Sequence, residues 1–535
     1  MKDDLGEAHE ASVSMVERHQ RGQYFTPFPL IELVLDLCGQ ARIRSIVDPA
    51  CGSGRFLMAS RARWPSAQLL GWDSDPLAFD LAQQNLPRAR LTRGSFLDAR
   101  GSRDADLLVG NPPYIRRRGQ KRDLYVDFLE AAPSWLHDGG RVALVLSSSW
   151  LDVEYGRVVR EILLRDFAVE WIVESSAERW FPGAKVNTMI LVARRETDPE
   201  VRATQSVRFA ELRDLLPAQP VLIREVRQDK LASLAPWGPQ LRAPGWWLER
   251  WSAMTAASAA SPAGESGATV PLETLAEVKR GWTTNANAFF YPGQGSSIEE
   301  RWLRPLLKSP KRVHGVRGHA ADLPDQAFVC DATRAELERL DARGALAWVD
   351  SSMRPSWSLQ PQVPVRQVLM KGYGNRFRQP LFDEPVHYDQ QLYGLYPRTG
   401  VPLEALAAVL NSSWFGLGLE LLGRVNFGDG VLWLGLRDAR RLPVPDLRTA
   451  SDQTLRRLID GFAALPDETV PPVGSLAEST RWGEAVARID RVVAGLLGIE
   501  ERDVLSAFAG LCARRARKAG SVKRSSRVES ARVPS

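Results

Sequence analysis

The chain has 535 residues, too many for one hydrophobic core and enough for two or three domains. Hydrophobic residues make up 44% and charged residues 25%, an ordinary globular composition, and with no uninterrupted apolar stretch of about 20 residues no membrane span is expected. A net charge of +6 suits a polyanionic partner without establishing one.

The start, Met1-Lys2-Asp3-Asp4, lacks the basic-then-apolar order of a signal peptide. Cys38, Cys51, Cys330 and Cys512 have neither metal-ligand spacing nor a disulfide pattern, so a reducing cytoplasm and no metal site are expected. Residues 1–20 read as a polar leader. Residues 21–250 alternate short apolar runs with helical periodicity, the pattern of a parallel α/β sheet. Its candidate strands are Ser45–Asp48, Leu69–Asp73, Arg90–Thr92, Asp106–Val109, Arg141–Ser147, Val169–Glu174 and Asn187–Ala193. Candidate helices are Gly54–Arg63, Pro76–Leu86, Asp123–Leu136 and Glu154–Phe167. The last strand follows the sixth with no long helix between, which predicts an antiparallel hairpin at the sheet edge. The expected fold is a Rossmann-like α/β domain with a mixed, mainly parallel seven-stranded sheet, followed by an α+β domain.

Residues 251–268 are rich in Ala, Ser, Gly and Thr and read as a linker. Residues 269–450 change character, with more Trp, Pro and Gly, and are expected to form the second, mixed domain. Residues 451–512 regain helical spacing through Leu455, Leu458, Ile459 and Phe462, then Val486, Ile489, Val492, Val493 and Leu496. Residues 513–535 carry eight Lys and Arg against Glu529 alone and read as a disordered basic tail.

Two motifs carry chemistry. Asp48-Pro49-Ala50-Cys51-Gly52-Ser53-Gly54 lies between a strand and a helix. Glycines 52 and 54 permit a tight turn and close approach of a ligand to the backbone, and the helix that follows offers N–H groups to a carboxylate. Asp73, at the tip of the next strand, is placed to accept both hydroxyls of a ribose, with Asp75 the alternative; Asp75 before Pro76 also makes a good helix N-cap. At the end of the third strand, Ser95 and Phe96 are candidates to frame an adenine.

The second motif is Asn111-Pro112-Pro113-Tyr114. The prolines fix φ and restrict the residue before each, so the Asn111 side-chain oxygen and the Pro112 carbonyl are able to point at one spot. Two acceptors aimed at an amino group hold both its hydrogens and leave its lone pair facing a donor. Tyr114 offers a flat face for stacking. Together the motifs point to methyl transfer from S-adenosylmethionine (AdoMet) to an exocyclic nitrogen, with positioning and fixed dipoles as the catalytic means.

On these residues the chain resembles the adenine-N6 DNA methyltransferases of the gamma arrangement, found in type II and type IIG-like restriction-modification systems. Gln23-Tyr24-Phe25-Thr26-Pro27 resembles the family's leading motif, which implies that Tyr24, Thr26 and Pro27 help to bind the methionine end of AdoMet. Asp48, Ala50, Gly52, Gly54, Asp73, Ser95, Phe96 and Asn111 are then the other cofactor-binding positions, and Asn111, Pro112, Pro113 and Tyr114 the catalytic ones. Phe181-Pro182-Gly183-Ala184-Lys185-Val186 resembles the segment whose aromatic covers the second face of the extruded base, so Phe181 is expected to sandwich the adenine with Tyr114. Two positions depart from the family: Ser95 stands where Asp is frequent, and Asp73 where a longer Glu is common.

The likeness in the second half is looser. Leu275 to Asn287 resembles the opening of a target-recognition domain, which makes Lys279, Arg280, Thr283 and Asn285 candidate contacts to double-stranded DNA, and Asn411 through Pro445 resembles that domain's end. The resemblance implies a modification enzyme. The motifs begin near Gly22 and no nuclease motif is found, so cleavage is expected of a separately encoded restriction endonuclease. Ribosomal RNA methyltransferases, glutamine methyltransferases of release factors and a decayed DNA-binding subunit are the alternatives.

Overall fold

The structure is a computed structural model that describes residues 25–39, 42–115, 122–152, 156–181, 187–234, 236–257, 269–293, 295–330, 332–351, 363–424, 431–477 and 480–530. The chain divides into two units. The described residues up to Ala243, with Arg424 and the turns from Arg514 onward, form the first; Pro244–Gly423 and Val431–Ala513 form the second.

In the first unit, alternating apolar runs become β1 (Ser45–Asp48), β2 (Gln68–Asp73), β3 (Arg90–Arg93), β4 (Ala105–Gly110), β5 (Leu136–Ser147), β6 (Phe167–Ser175), β7 (Thr188–Arg195), β8 (Ser206–Leu212) and β9 (Val221–Arg227). The helices between them are α1 (Phe28–Leu37), α2 (Arg55–Arg63), α3 (Pro76–Asn85), α4 (Leu124–Ala131) and α5 (Arg157–Asp166). Strand β5 shows why the sheet is central. Val142, Leu144 and Leu146 enter the core on one face while Ala143 and Val145 enter the core on the other, and all five are buried. A strand covered on both sides loses the polar alternation of a surface strand and reads as a continuous apolar run.

The sheet order is β3-β2-β1-β4-β5-β7-β6-β8-β9. Strands β1 to β5 are mutually parallel, whereas β7 runs antiparallel to both β5 and β6. The seven expected strands are all present, but the sheet has nine, because β8 pairs parallel to β6 and β9 antiparallel to β8. The hairpin of β6 and β7 is therefore interior and not at the edge. Helix α4 also ends earlier than expected, since Pro133 in the following 3₁₀ turn cannot continue it and Leu136 already starts β5.

The second unit opens with helix α6 (Gly245–Ala257), so residues 251–257 are helical and not linker; 258–268 lie outside the described residues. Strands β10 (Thr269–Pro271), β11 (Ala276–Arg280), β12 (Leu303–Leu307), β13 (Arg317–Gly318), β14 (Gln326–Phe328), β15 (Val365–Met370), β16 (Gly372–Tyr373), β17 (Leu381–Tyr388) and β18 (Leu392–Pro397) follow. Seven of these make a mixed sheet of order β11-β18-β15-β17-β12-β14, with β13 beside β17. Helices α7 (Leu403–Leu410) and α8 (Ser413–Leu422) are apolar and almost wholly buried. Strands β19 (Leu432–Trp433) and β20 (Pro443–Pro445) then pair with β16 and β10. Helices α9 (Asp452–Ala463), α10 (Arg481–Leu497) and α11 (Glu501–Ser530) complete the chain. In α10, Trp482, Val486, Ile489, Val493 and Leu497 are buried at helical spacing, Thr480 caps the start through the Gly483 N–H, and Gly498 at φ +61° closes the end.

Residues 513–530 of the basic end, expected to be a disordered tail, are helical, and 531–535 lie outside the described residues. Helix α11 runs to Ser530, and the Arg514 guanidinium sits 2.8 Å from Glu211 and 3.8 Å from Glu174. Lys518 is packed near Glu174 as well, and burial pushes its ammonium down to about 8. Acidic partners distant in sequence order what composition alone reads as a solvated run. Among the described residues no single helix is long and apolar enough to cross a membrane.

Candidate active site

The topology decides where the two motifs meet. From β1 the chain winds outward through β2 and β3, then crosses to β4 on the other flank of β1. In open α/β sheets the crevice beyond the carboxyl ends of the strands, at such a switch point, is the ligand site. The turn after β1 is the glycine motif, and the turn after β4 is Asn111 to Tyr114.

Asp48, at the end of β1, is 1% exposed, and its Oδ1 accepts a hydrogen bond from the Ala50 N–H at 3.1 Å. A Cβ on Gly110 would meet that oxygen at 2.6 Å, so the glycine ending β4 makes room for the carboxyl. Burial pushes the Asp48 pKa up to about 8. Asp73 links the first two turns: Oδ2 accepts from the Gly52 N–H and Oδ1 from the Asp75 N–H, both at 2.8 Å. Its pKa is also raised, chiefly by burial. Asp75 itself accepts from Leu77 and Ala78 N–H, so it is the N-cap of α3 and Asp73 is the carboxylate at the crevice. Gly52 and Gly54 have φ of +55° and +91°, a conformation that a side chain would strain.

These turns surround a cleft of about 380 Å³. Its walls include Thr26, Ala50, Gly52, Asp73, Ser95, Phe96, Asn111 and Pro113 from the expected set. Phe25, Ser53, Arg55, Phe56, Ser74, Leu124 and Phe128 join them. Phe96 is both core and wall: it stacks on Phe128 at 5.9 Å and on Trp135 at 4.9 Å. Ser95 Oγ accepts from the Leu97 N–H at 3.3 Å. A Cβ built on Gly52 or Gly94 would meet no atom within 4 Å, so the space against both backbones is open to a ligand. The size is right for a nucleoside cofactor, and an acid at the strand tip, hydroxyls and a cation supply the polar groups such a ligand needs.

At the reacting end, Asn111 Nδ2 donates to Thr26 Oγ1 at 3.2 Å. The Tyr114 hydroxyl lies against Asn111 Oδ1 and 3.1 Å from the Val145 carbonyl. One phenolic hydrogen faces two acceptors, so what it gives to one it withholds from the other. The Tyr114 ring packs on the core, edge-on to Tyr125 at 6.5 Å, and does not line the cleft.

Other expected residues fall nearby or elsewhere. Pro27 is the N-cap residue of α1, and Pro27, Asp48, Gly54 and Pro112 are outside the cleft lining. Phe181 is 5% exposed and joins the apolar core, not the cleft, so it is not an open stacking face. Tyr24 and residues 182–186 lie outside the described residues. Arg55 escaped the sequence reading. Its guanidinium sits over the rings of Phe25 at 5.1 Å and Phe28 at 5.7 Å and bonds the Thr26 carbonyl at 3.5 Å. A cation at the first position of a helix opposes the helix dipole, and that was the available signal.

In the second unit, Arg280 at the end of β11 and Thr283 and Asn285 beyond it are exposed, with Asn285 at φ +52°, and Lys279 pairs with Glu277 at 3.0 Å. They belong to a different unit from the cleft.

Residues 1–236 match the family described as N-6 DNA Methylase. Over 481 residues the chain is 24% identical to the type II methyltransferase M.XamI of Xanthomonas campestris pv. amaranthicola, covering 80% of this chain and 85% of that protein. Of three further type II methyltransferases it spans 42% to 59%. A release factor glutamine methyltransferase of Geobacter sulfurreducens is 32% identical over 149 residues, 23% of this chain and 49% of that protein. Among solved structures, the type IIG restriction endonuclease BpuSI covers 93% of this chain and 66% of its own, at 14% identity and a TM-score of 0.41. The N-6 DNA methylase match spans both motifs, and the M.XamI similarity extends over four fifths of the chain.

Proposed function

We propose that the chain transfers a methyl group from AdoMet to the N6 amine of an adenine swung out of duplex DNA, as the modification component of a restriction-modification system whose endonuclease is encoded separately. The observation that carries this reading is that Asp73, Gly52 and Asn111 line one cleft at the switch point of the sheet.

Bound AdoMet supplies an electrophilic sulfonium methyl. Asp73 accepts from the ribose hydroxyls while keeping its bonds to the Gly52 and Asp75 N–H groups. Phe96 and Ser95 border the cofactor's adenine. Asn111 Oδ1 and the Pro112 carbonyl hold the two hydrogens of the target amine. For Asn111 to do so, the Tyr114 hydroxyl gives its hydrogen wholly to the Val145 carbonyl, which already lies within reach. The amine lone pair then points along the line of transfer, where positioning is worth roughly 7–11 kcal/mol in favourable cases. AdoMet bound there would supply the methyl to that lone pair with its sulfur as leaving group, and the surplus proton on N6 would pass to water. Stacking by Tyr114 and Phe181 requires both rings to turn out of their packed positions as the base enters. Extrusion costs a few kcal/mol, and the second unit, with Lys279, Arg280, Thr283 and Asn285, is assigned the grip on the duplex.

Incubation of the purified protein with methyl-labelled AdoMet and, in parallel, duplex DNA, ribosomal RNA fragments and a release factor tests this. Label is expected in DNA alone. Label confined to RNA or to the release factor would overturn the substrate assignment.

A further inference from the structure

The polar side chains beyond β11 are organised by a residue outside the Leu275–Asn287 segment. Arg280 Nη2 and Thr283 Oγ1 both converge on Oε1 of Gln390, at 3.3 and 3.4 Å. Gln390 lies in the short turn between β17 and β18, which antiparallel pairing of Arg280 with Tyr393 brings beside the end of β11. An arginine has no acceptor, so the amide atom facing it must be the oxygen. That oxygen has two lone pairs, and two donors occupy them. The Gln390 Nε2 therefore faces away from Arg280 with both its hydrogens, and among the described residues no hydrogen bond from it to a protein group is seen. Arg280 keeps its remaining N–H groups beside it.

The tip is rigid where it matters. The Gln390 N–H donates to the Trp282 carbonyl at 3.1 Å, and its own carbonyl accepts from Lys371 Nζ at 2.7 Å. Asp389, 2% exposed, takes the Tyr291 hydroxyl at 3.0 Å on one oxygen and the Gln391 N–H at 3.0 Å on the other. Polar side chains that are accessible to a partner, carried on a backbone fixed by buried hydrogen bonds, have the build of a recognition element and not of a solvated loop.

We propose that Arg280 and Gln390 together read a guanine in the major groove of the target sequence. The argument is one of donor and acceptor pattern. A glutamine with a free amide matches adenine, because it offers one acceptor and one donor. Here the Gln390 acceptor is already used, and the Arg280 guanidinium and the Gln390 amide nitrogen beside it present donors only. Guanine is the base that shows two adjacent acceptors, O6 and N7, in that groove.

This inference rests on the proposed DNA substrate. Its test is single-molecule sequencing of DNA from cells that express the chain or its Arg280→Lys, Arg280→Ala and Gln390→Ala variants. The wild-type motif is expected to contain a guanine at which all three variants relax, each losing roughly 5- to 150-fold of discrimination at that position only. Arg280→Lys is the deciding variant, because lysine keeps the charge a phosphate needs and loses the fork that a base edge needs. Unchanged stringency in Arg280→Lys, or a uniform loss of methylation across all positions, would overturn the guanine assignment while leaving the methyltransferase reading intact. No methylated adenine from the wild-type chain would remove both. Bound AdoMet measured by calorimetry is expected to be the same for all four proteins, since none of the substitutions touches the cleft.

Discussion

The Tyr114 hydroxyl is hydrogen-bonded to the side-chain oxygen of Asn111, three residues before it. The group assigned to hold the target amine is thus held in reserve by the ring assigned to stack on the base. Entry of the base has to exchange one partner for the other, and each half of that exchange is open to measurement.

Asn111→Ala removes an acceptor whose value lies in the transition state. Loss of one such fixed dipole lowers turnover by about 10²–10³-fold. Turnover is expected to fall by at least that much, with AdoMet affinity within about threefold of wild type, as read by labelled transfer and calorimetry. Tyr114→Phe keeps the ring and frees Asn111 Oδ1, so activity should stay within about tenfold. Tyr114→Ala loses stacking of about 1–3 kcal/mol, which is roughly 5- to 150-fold in kcat/KM.

Arg55 borders the cleft beside Thr26, held over Phe25 and Phe28. Its place at the start of α2 assigns it to the cofactor's carboxylate. Wild-type protein should bind S-adenosylhomocysteine more tightly than methylthioadenosine, which lacks that carboxylate. Arg55→Gln should lose about 10- to 100-fold of that preference, the range for a hydrogen bond to a charged group, and leave methylthioadenosine unaffected. Equal loss for both ligands would assign Arg55 to the shape of the cleft.

Asp48 supplies a pH test with a definite sign. Its folded pKa of about 8 exceeds the ordinary carboxylate value because burial disfavours its charge. Between those values the folded state binds more protons than the unfolded state, so this group's contribution to stability is full at low pH and lost as pH rises towards 8. Asp48→Asn should flatten the fall in thermal midpoint between pH 5 and 8 relative to wild type. An unchanged or steeper fall would contradict the buried, protonated carboxyl.

The end of α11 bears on stability. Arg514 meets Glu174 and Glu211, and Arg242 bridges Glu174 and Asp152. These neighbours hold Glu174 down to about 2 against the upward push of burial. Removing one member of such a network leaves uncompensated buried charge and costs about 3–5 kcal/mol. Arg514→Ala should lower the urea midpoint accordingly; no change would return these residues to the status of a solvated tail.

What was legible in the sequence was local. A glycine turn after one strand, an acid at the tip of the next and an Asn-Pro-Pro-Tyr turn after the fourth name their positions, and parallel topology then brings them together. What was not legible depends on partners far away in the chain. Strands β8 and β9 have mixed patterning because β9 is an edge, with Val221 and Leu222 exposed. The Arg-rich end of α11 reads as solvated until Glu174 and Glu211 are known. Phe181 carries a family signal but sits in the core, because the sequence marks an aromatic without saying which way it faces. Gln390 lies about a hundred residues from Arg280 and is brought beside it by the pairing of β11 with β18 and by the bond of its N–H to the Trp282 carbonyl.

The most direct test of the central claim is mass spectrometry of nucleosides from duplex DNA treated with AdoMet and either wild-type protein or Asn111→Ala. Wild type is expected to produce N6-methyladenine and Asn111→Ala none, although both bind AdoMet. Full N6-methyladenine from the variant, or methylation by wild type at cytosine and not adenine, would contradict it.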